Sequence, residues 1–200
     1  MKEIKQLKSH DFAEVYKWLG INLNKLGCVM LDLDPIEVPR DMIDGFTHYP
    51  KFQDKLYFAK DKERFWIDGW VVDKVPHITL LYGLLDEAKN YEPHIEQVLR
   101  GWRLSEVEIE DVDYFNSPYE DEKYYCIVAH IKVTDELLEG HRRLEFLPHI
   151  NTFAGYKPHM TIAYIKKDEE FRDDFISNLK IELVGKKLKV KEEINLGGNK

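Results

Sequence analysis

Pro76-His77-Ile78-Thr79-Leu80-Leu81-Tyr82 recurs downstream as Pro158-His159-Met160-Thr161-Ile162-Ala163-Tyr164. Four of the seven positions are identical, and two of the rest exchange one aliphatic-like side chain for another. With eight His and five Thr among 200 residues, even one His-x-Thr is not expected by chance. Two occur, each led by Pro and each followed by Tyr three residues after the Thr. Pro93-His94 and Pro148-His149 serve as internal controls, since neither has Thr two residues after the His. The signal is the repeated heptapeptide.

Both heptapeptides are short, rich in aliphatic and β-branched residues, and begin at a proline, which a strand tolerates at its first position. They read as strands. Residues i and i+2 of a strand project from one face, about 6.6 Å apart along the chain. His and Thr then stand side by side, able to grip different oxygens of one phosphate. Ile78, Leu80 and Tyr82 are expected on the opposite face, in a core.

Elsewhere the chain reads as short helices, strands and loops in no regular alternation. Residues 9–19 read as a helix capped by Ser9, with Phe12, Val15, Tyr16 and Leu19 on one face. Cys28–Leu33 reads as a buried strand, and residues 35–54 as loop. Asp-Gly at 68–69 between apolar runs predicts a hairpin over 65–72. Phe65, Ile67, Trp70 and Val72 share its core face. Trp66 falls on the mixed face, where it is either a base-stacking residue or a partly buried structural Trp. A helix is expected over 90–102, with Ile95, Val98, Leu99 and Trp102 inward, and strands over 105–115 and 123–133. Thr134 caps a further helix with acidic residues first and His141, Arg142 and Arg143 last, as the helix dipole favours. A helix over 168–179 follows, with Phe171, Phe175 and Leu179 inward. A strand then runs around Leu188 and Val190, and the end from Gly197 is expected to fray.

Strands without regular βαβ alternation indicate an α+β domain. The expected unit is one domain over 1–200, with two related lobes carrying the motifs at 76–82 and 158–164. Antiparallel strands would line a central cleft, with helices outside. A net charge of −8 argues against binding of long nucleic acid, which needs a basic face, but leaves room for a small nucleotide in a locally basic pocket. No apolar run is long enough to span a membrane, and no apolar segment follows the lysines of residues 1–9 as a signal peptide requires. Cys28 and Cys126 read as buried free thiols of a reducing cytoplasm.

The chemistry that suits two His and two Thr is phosphodiester cleavage. One imidazole serves as base and the other as acid, while the hydroxyls donate to phosphate oxygens whose charge grows in the transition state. A metal centre would more naturally carry carboxylate, Cys or further His where the Thr residues stand. Asp32-x-Asp34 is the one acidic pair of interest, and such pairs are common at strand ends. No metal or other cofactor is therefore expected. The sequence also lacks a Gly-x-Ser-x-Gly elbow for acyl transfer.

With its paired motifs, the chain resembles the 2H phosphoesterase superfamily, which is named for two His-x-Thr/Ser motifs. The resemblance implies a bilobal α+β fold and metal-independent chemistry on cyclic phosphates or on 3′–5′ or 2′–5′ linkages beside a 2′-hydroxyl. It places function on His77, Thr79, His159 and Thr161. Three runs, 27–32, 76–84 and 156–166, further resemble phage anti-CBASS enzymes, which destroy cyclic di- and trinucleotide signals in the host cytoplasm. Trp66 and Tyr156 are the candidate substrate-binding aromatics. Three functions remain: cleavage of cyclic oligonucleotides, hydrolysis of 2′,3′-cyclic phosphates at RNA ends, and non-catalytic sequestration of nucleotides. Intact His and Thr in both motifs weigh against sequestration.

Overall fold

The computed structural model describes residues 20–21, 26–34, 76–116, 124–151, 155–166 and 169–198. The expected helix at 9–19, the loop at 35–54 and the hairpin with Trp66 lie outside these residues. Among the described residues six strands and three α-helices follow one another: β1 Gly27–Leu33, β2 His77–Leu84, α1 Glu92–Val98, β3 Glu106–Asn116, β4 Tyr124–Ile131, α2 Asp135–Leu144, β5 His159–Lys166, α3 Glu169–Leu183 and β6 Lys187–Gly198. A 3-10 turn over Ala88–Tyr91 precedes α1. Among the described residues no helix is long and apolar enough to cross a membrane.

The strands form one antiparallel sheet in the order β2-β1-β6-β3-β4-β5. Two three-stranded halves are joined through β6. Its first residues pair with β3, Lys187 facing Glu108 and Lys189 facing Glu106, so opposite charges meet across the seam. Its later residues pair with β1 as far as Gly197 opposite Cys28 and Gly198 opposite Gly27. The expected fraying from Gly197 is thus corrected for both glycines. At 197 a Cβ would meet the end of the Met30 side chain and the Cys28 sulfur, so β6 lies close against these β1 side chains.

The two halves repeat each other in detail. β1 with β2 corresponds to β4 with β5: Asp32 and His77 face each other as His130 and His159 do, and Met30 faces Thr79 as Val128 faces Thr161. Leu33 N–H donates to the Pro76 carbonyl at 2.7 Å, and Ile131 N–H donates to that of Pro158 at 2.9 Å. Each motif strand carries a bulge just after its Thr, leaving Leu80 and Ile162 without a cross-strand partner. The first bulge corrects the expected alternation. Leu80 and Leu81 are both buried, and Tyr82 moves out of the core to a half-buried position on the other face.

One face of the curved sheet packs on the helices. Val29, Leu31, Leu33, Ile78, Leu80, Ile109 and Ile127 meet Leu137, Leu144, Phe175 and Leu179 in a single core. Thr134 caps α2 as expected, its hydroxyl accepting from Leu137 N–H at 3.2 Å. The helix expected over 90–102 is shorter. Pro93 in the first turn suits a start near 92, and the chain leaves the helix after Val98 into a turn. Ile95 and Leu99 still reach the core, and Trp102 donates its indole N–H to the Glu136 carbonyl at 2.7 Å.

Gly83 makes the fold's sharpest backbone demand. Its φ is +99°, its carbonyl accepts from Ile150 N–H at 2.8 Å, and a Cβ there would collide with the Ile150 carbonyl. Gly83→Ala is expected to lower stability by about 2–4 kcal/mol from left-handed strain and steric displacement together. Urea unfolding would read this as a lower midpoint at unchanged slope.

Candidate active site

β2 and β5 are the outermost strands of the sheet, yet they lie beside each other in space. The sheet therefore curls until its two edges meet, and the edges are the two His-x-Thr strands. His77, Thr79, His159 and Thr161 are all half-buried, each with buried aliphatic neighbours that anchor the strand from the core side. Ile78 and Met160 occupy that anchoring position in the two motifs. The alternation expected from the sequence holds through each His and Thr.

The first motif strand is clamped from outside by His141, which the sequence reading did not assign to the site, and by Tyr156, which it did. His141 of α2 donates its Nδ1–H to the Leu80 carbonyl at 2.7 Å. Tyr156 donates its hydroxyl proton to the Thr79 carbonyl at 3.2 Å. The two rings stack at 4.0 Å between centroids and 10° between planes. Tyr156 thus reaches the motif strand, its hydroxyl engaged by backbone, and burial pushes its phenol well above its ordinary pKa. His141 also serves α2, its Nε2 lying 3.5 Å from Glu145. Arg143 ion-pairs with Glu139 at 2.8 Å and donates to the Arg100 carbonyl.

His159 is oriented by its own strand. Its Nδ1–H donates to the Lys157 carbonyl at 2.9 Å, so the neutral ring keeps its lone pair on Nε2. Burial pushes its pKa below the ordinary imidazole value. The Lys157 bond opposes this shift, and the charges of His130 and His77 add to it. That His77 acts on His159 at all is a measure of their proximity.

Neighbouring strands complete the face. On β1, Cys28, Met30 and Asp32 are half-buried alongside β2. Asp32 accepts from the Asn195 amide at 2.8 Å, and Asp34 gives its backbone N–H to the Lys189 carbonyl. The cysteines are free, as expected, but half-buried on this face instead of buried in the core. Cys126 Sγ lies 3.9 Å from the Thr161 hydroxyl. Burial raises the Cys28 thiol pKa, which disfavours a thiolate nucleophile. Beyond Asp32 an open polar groove of about 370 Å³ continues along β6, lined by Lys89, Glu92, Glu193 and Asn195.

Phe115 is the functional candidate that sequence reasoning missed. It is 37% exposed although large and apolar, and its ring meets His159 edge-on at 4.9 Å and His130 at 5.9 Å. The only signal in the sequence was its place on the polar side of β3, in step with Asp111 and Asp113.

The family model for the 2′-5′ RNA ligase superfamily matches residues 52–192, a span that contains both motifs. No curated protein matches the sequence. Among solved structures, Usb1 of Kluyveromyces marxianus aligns with a TM-score of 0.48 and 12% identity, over 90% of this chain and 97% of that one. The same protein with uridine monophosphate aligns with TM-score 0.48 and 12% identity, over 88% and 99%. With the family model spanning both His-x-Thr strands, and those strands meeting at the closed edges of one α+β sheet, the chain belongs to the 2′-5′ RNA ligase superfamily of 2H phosphoesterases and is a hydrolase of phosphodiester bonds.

Proposed function

We propose that this enzyme acts without a metal at ribonucleotide ends, hydrolysing 2′,3′-cyclic phosphates through His77, Thr79, His159 and Thr161. The observation that carries the reading is the meeting of the two motif strands edge to edge. It favours four donor and acceptor groups closing on one phosphate. The family description, which names 2′-5′ RNA ligases, favours RNA as the substrate class.

His159 suits the base. Its Nδ1–H is held by the Lys157 carbonyl and its ring is biased towards the neutral form, so Nε2 is ready to take a proton from water. As that water attacks phosphorus, the bond to one ribose oxygen breaks, and His77 supplies the proton to that oxygen. Thr79 and Thr161 donate to the non-bridging oxygens, whose negative charge is greatest in the transition state. Phe115 offers an exposed aromatic edge next to His159 for a nucleobase or ribose.

A panel of short RNAs ending in 2′,3′-cyclic phosphate or in 3′-hydroxyl, together with cyclic dinucleotides, tests the proposal when products are read by mass spectrometry in excess EDTA. Ring opening of the terminal cyclic phosphate is the expected result. Inhibition by EDTA that a divalent ion reverses would remove the metal-free mechanism. Preferred cleavage of the cyclic dinucleotides would favour a second reading, a cyclic di- or trinucleotide phosphodiesterase counteracting CBASS immunity. That reading is supported by the resemblance of runs 27–32, 76–84 and 156–166 to the phage enzymes.

The threonines give a graded prediction. Loss of a hydroxyl that donates to a charged oxygen costs about 1.5–3 kcal/mol, or roughly 10–150-fold in rate. Thr79→Val and Thr161→Val are each expected to lose that much in kcat/KM with unchanged far-UV circular dichroism, since Val suits a strand. A loss below threefold in both would take the hydroxyls out of the mechanism.

A further inference from the structure

The two motifs are nearly the same, but the residues facing them are not. Across from His159 on β4 stands His130, and across from His130 on β3 stands Asp111. At the matching position of the other half, the residue across from His77 is Asp32, held by Asn195. One motif histidine thus faces a second imidazole and the other faces a carboxylate.

We propose that His130 is a positioning residue that acts through His159, disfavouring its imidazolium so that the ring stays available as a base. The inference rests on the proposed function for its catalytic consequence, but not for the interaction itself. Three observations carry it. Cross-strand neighbours on one face lie about 5 Å apart at Cβ, so a proton on His130 bears directly on His159. Phe115 packs edge-on against both rings, 4.9 Å from His159 and 5.9 Å from His130, and so ties the two together. Asp111, whose carboxyl is held below the usual range chiefly by the Lys180 ammonium at 2.9 Å, stands ionised directly across from His130. The row therefore reads His159, His130, Asp111, Lys180 across β5, β4, β3 and α3. His130 also depresses His159 in the same direction as burial does.

Among the described residues, the titratable and charged groups around His159 are His130 from β4, His77 from β2, and Asp111 and Asp113 on the same side of β3. Asp32 lies one strand beyond His77. Of these, His77 acts in the same sense as His130. The β3 carboxylates act in the opposite sense but sit one strand further from His159, behind His130.

The sign follows. A neighbouring positive charge lowers the pH at which His159 takes its proton, so removing that charge raises it. The test is an NMR titration of the imidazole resonances in the wild-type chain, His130→Gln and His130→Lys, with His159→Ala used for assignment. The His159 midpoint is expected to rise by roughly half a pH unit in His130→Gln and to fall or hold in His130→Lys. The acid limb of the kcat/KM profile should follow in the same directions, with the alkaline limb fixed. A merely structural role would move both variants the same way. His130→Asn replaces the Gln variant if that protein does not fold. An unmoved His159 midpoint in the neutral variant overturns the proposal, as does an acid limb that ignores a moved midpoint. Full turnover in His159→Ala would instead defeat the proposed function, and the titration keeps the two failures apart.

Discussion

His77→Ala and His159→Ala are each expected to slow turnover by ~10²–10⁴-fold, the range over which a positioned acid or base contributes. Neither change should disturb the fold. Both side chains are half-buried on the cleft face, while the anchoring of their strands falls to Ile78, Leu80, Met160 and Ile162 in the core. The double variant should fall far short of the product of the two losses, because an acid without its base leaves the transition state no better served than neither. The variants should also differ in pH dependence. With His159 biased towards neutrality by burial and by its neighbours, its variant should lose the acid limb of the profile. Single-turnover rates across pH 4–9 would show this. Near-normal turnover in either folded single variant would remove that histidine from the mechanism.

A 2′-deoxy or 2′-O-methyl sugar at a scissile 3′–5′ linkage is expected to abolish cleavage of that linkage while leaving measurable binding. On the proposed metal-free mechanism, the easiest nucleophile is the 2′-hydroxyl beside the phosphate, whose intramolecular attack has a large effective-molarity advantage. His77 would take the hydroxyl proton, the new bond would run from O2′ to phosphorus, and the 5′-oxygen would leave with the proton of His159. The product is the 2′,3′-cyclic phosphate whose hydrolysis is the proposed end reaction, with the two histidines exchanging roles between the steps. Matched RNA and cyclic dinucleotide substrates with and without the hydroxyl, sampled early for the cyclic intermediate, give the measurement. Equal cleavage of the deoxy analogue would mean that water attacks directly, and the transesterification step would be dropped.

The amino-acid order by itself determined the local half of this protein. A His and a Thr two residues apart on a Pro-led aliphatic strand must share a face, since alternation is a property of the extended backbone. The strands at 27–33, 106–116 and 124–131 and the Thr134 cap were legible for the same reason, being set by neighbours in sequence. Legibility failed where a distant segment decides. Glu192, Glu193, Asn195 and Gly197 are poor strand formers, and β6 exists because β3 and β1 each offer it an open edge. The bulges after Thr79 and Thr161, the first of which turns Tyr82 out of the core, are properties of a strand pair and have no signature in either strand alone. Phe115 and His130 are ordinary residues of two separate strands until pairing sets them against His159. The repeat named the two reactive strands. Only the curling of the sheet, which closes its first and last strands on each other, made them neighbours, because edge-to-edge approach depends on the twist accumulated over all six strands.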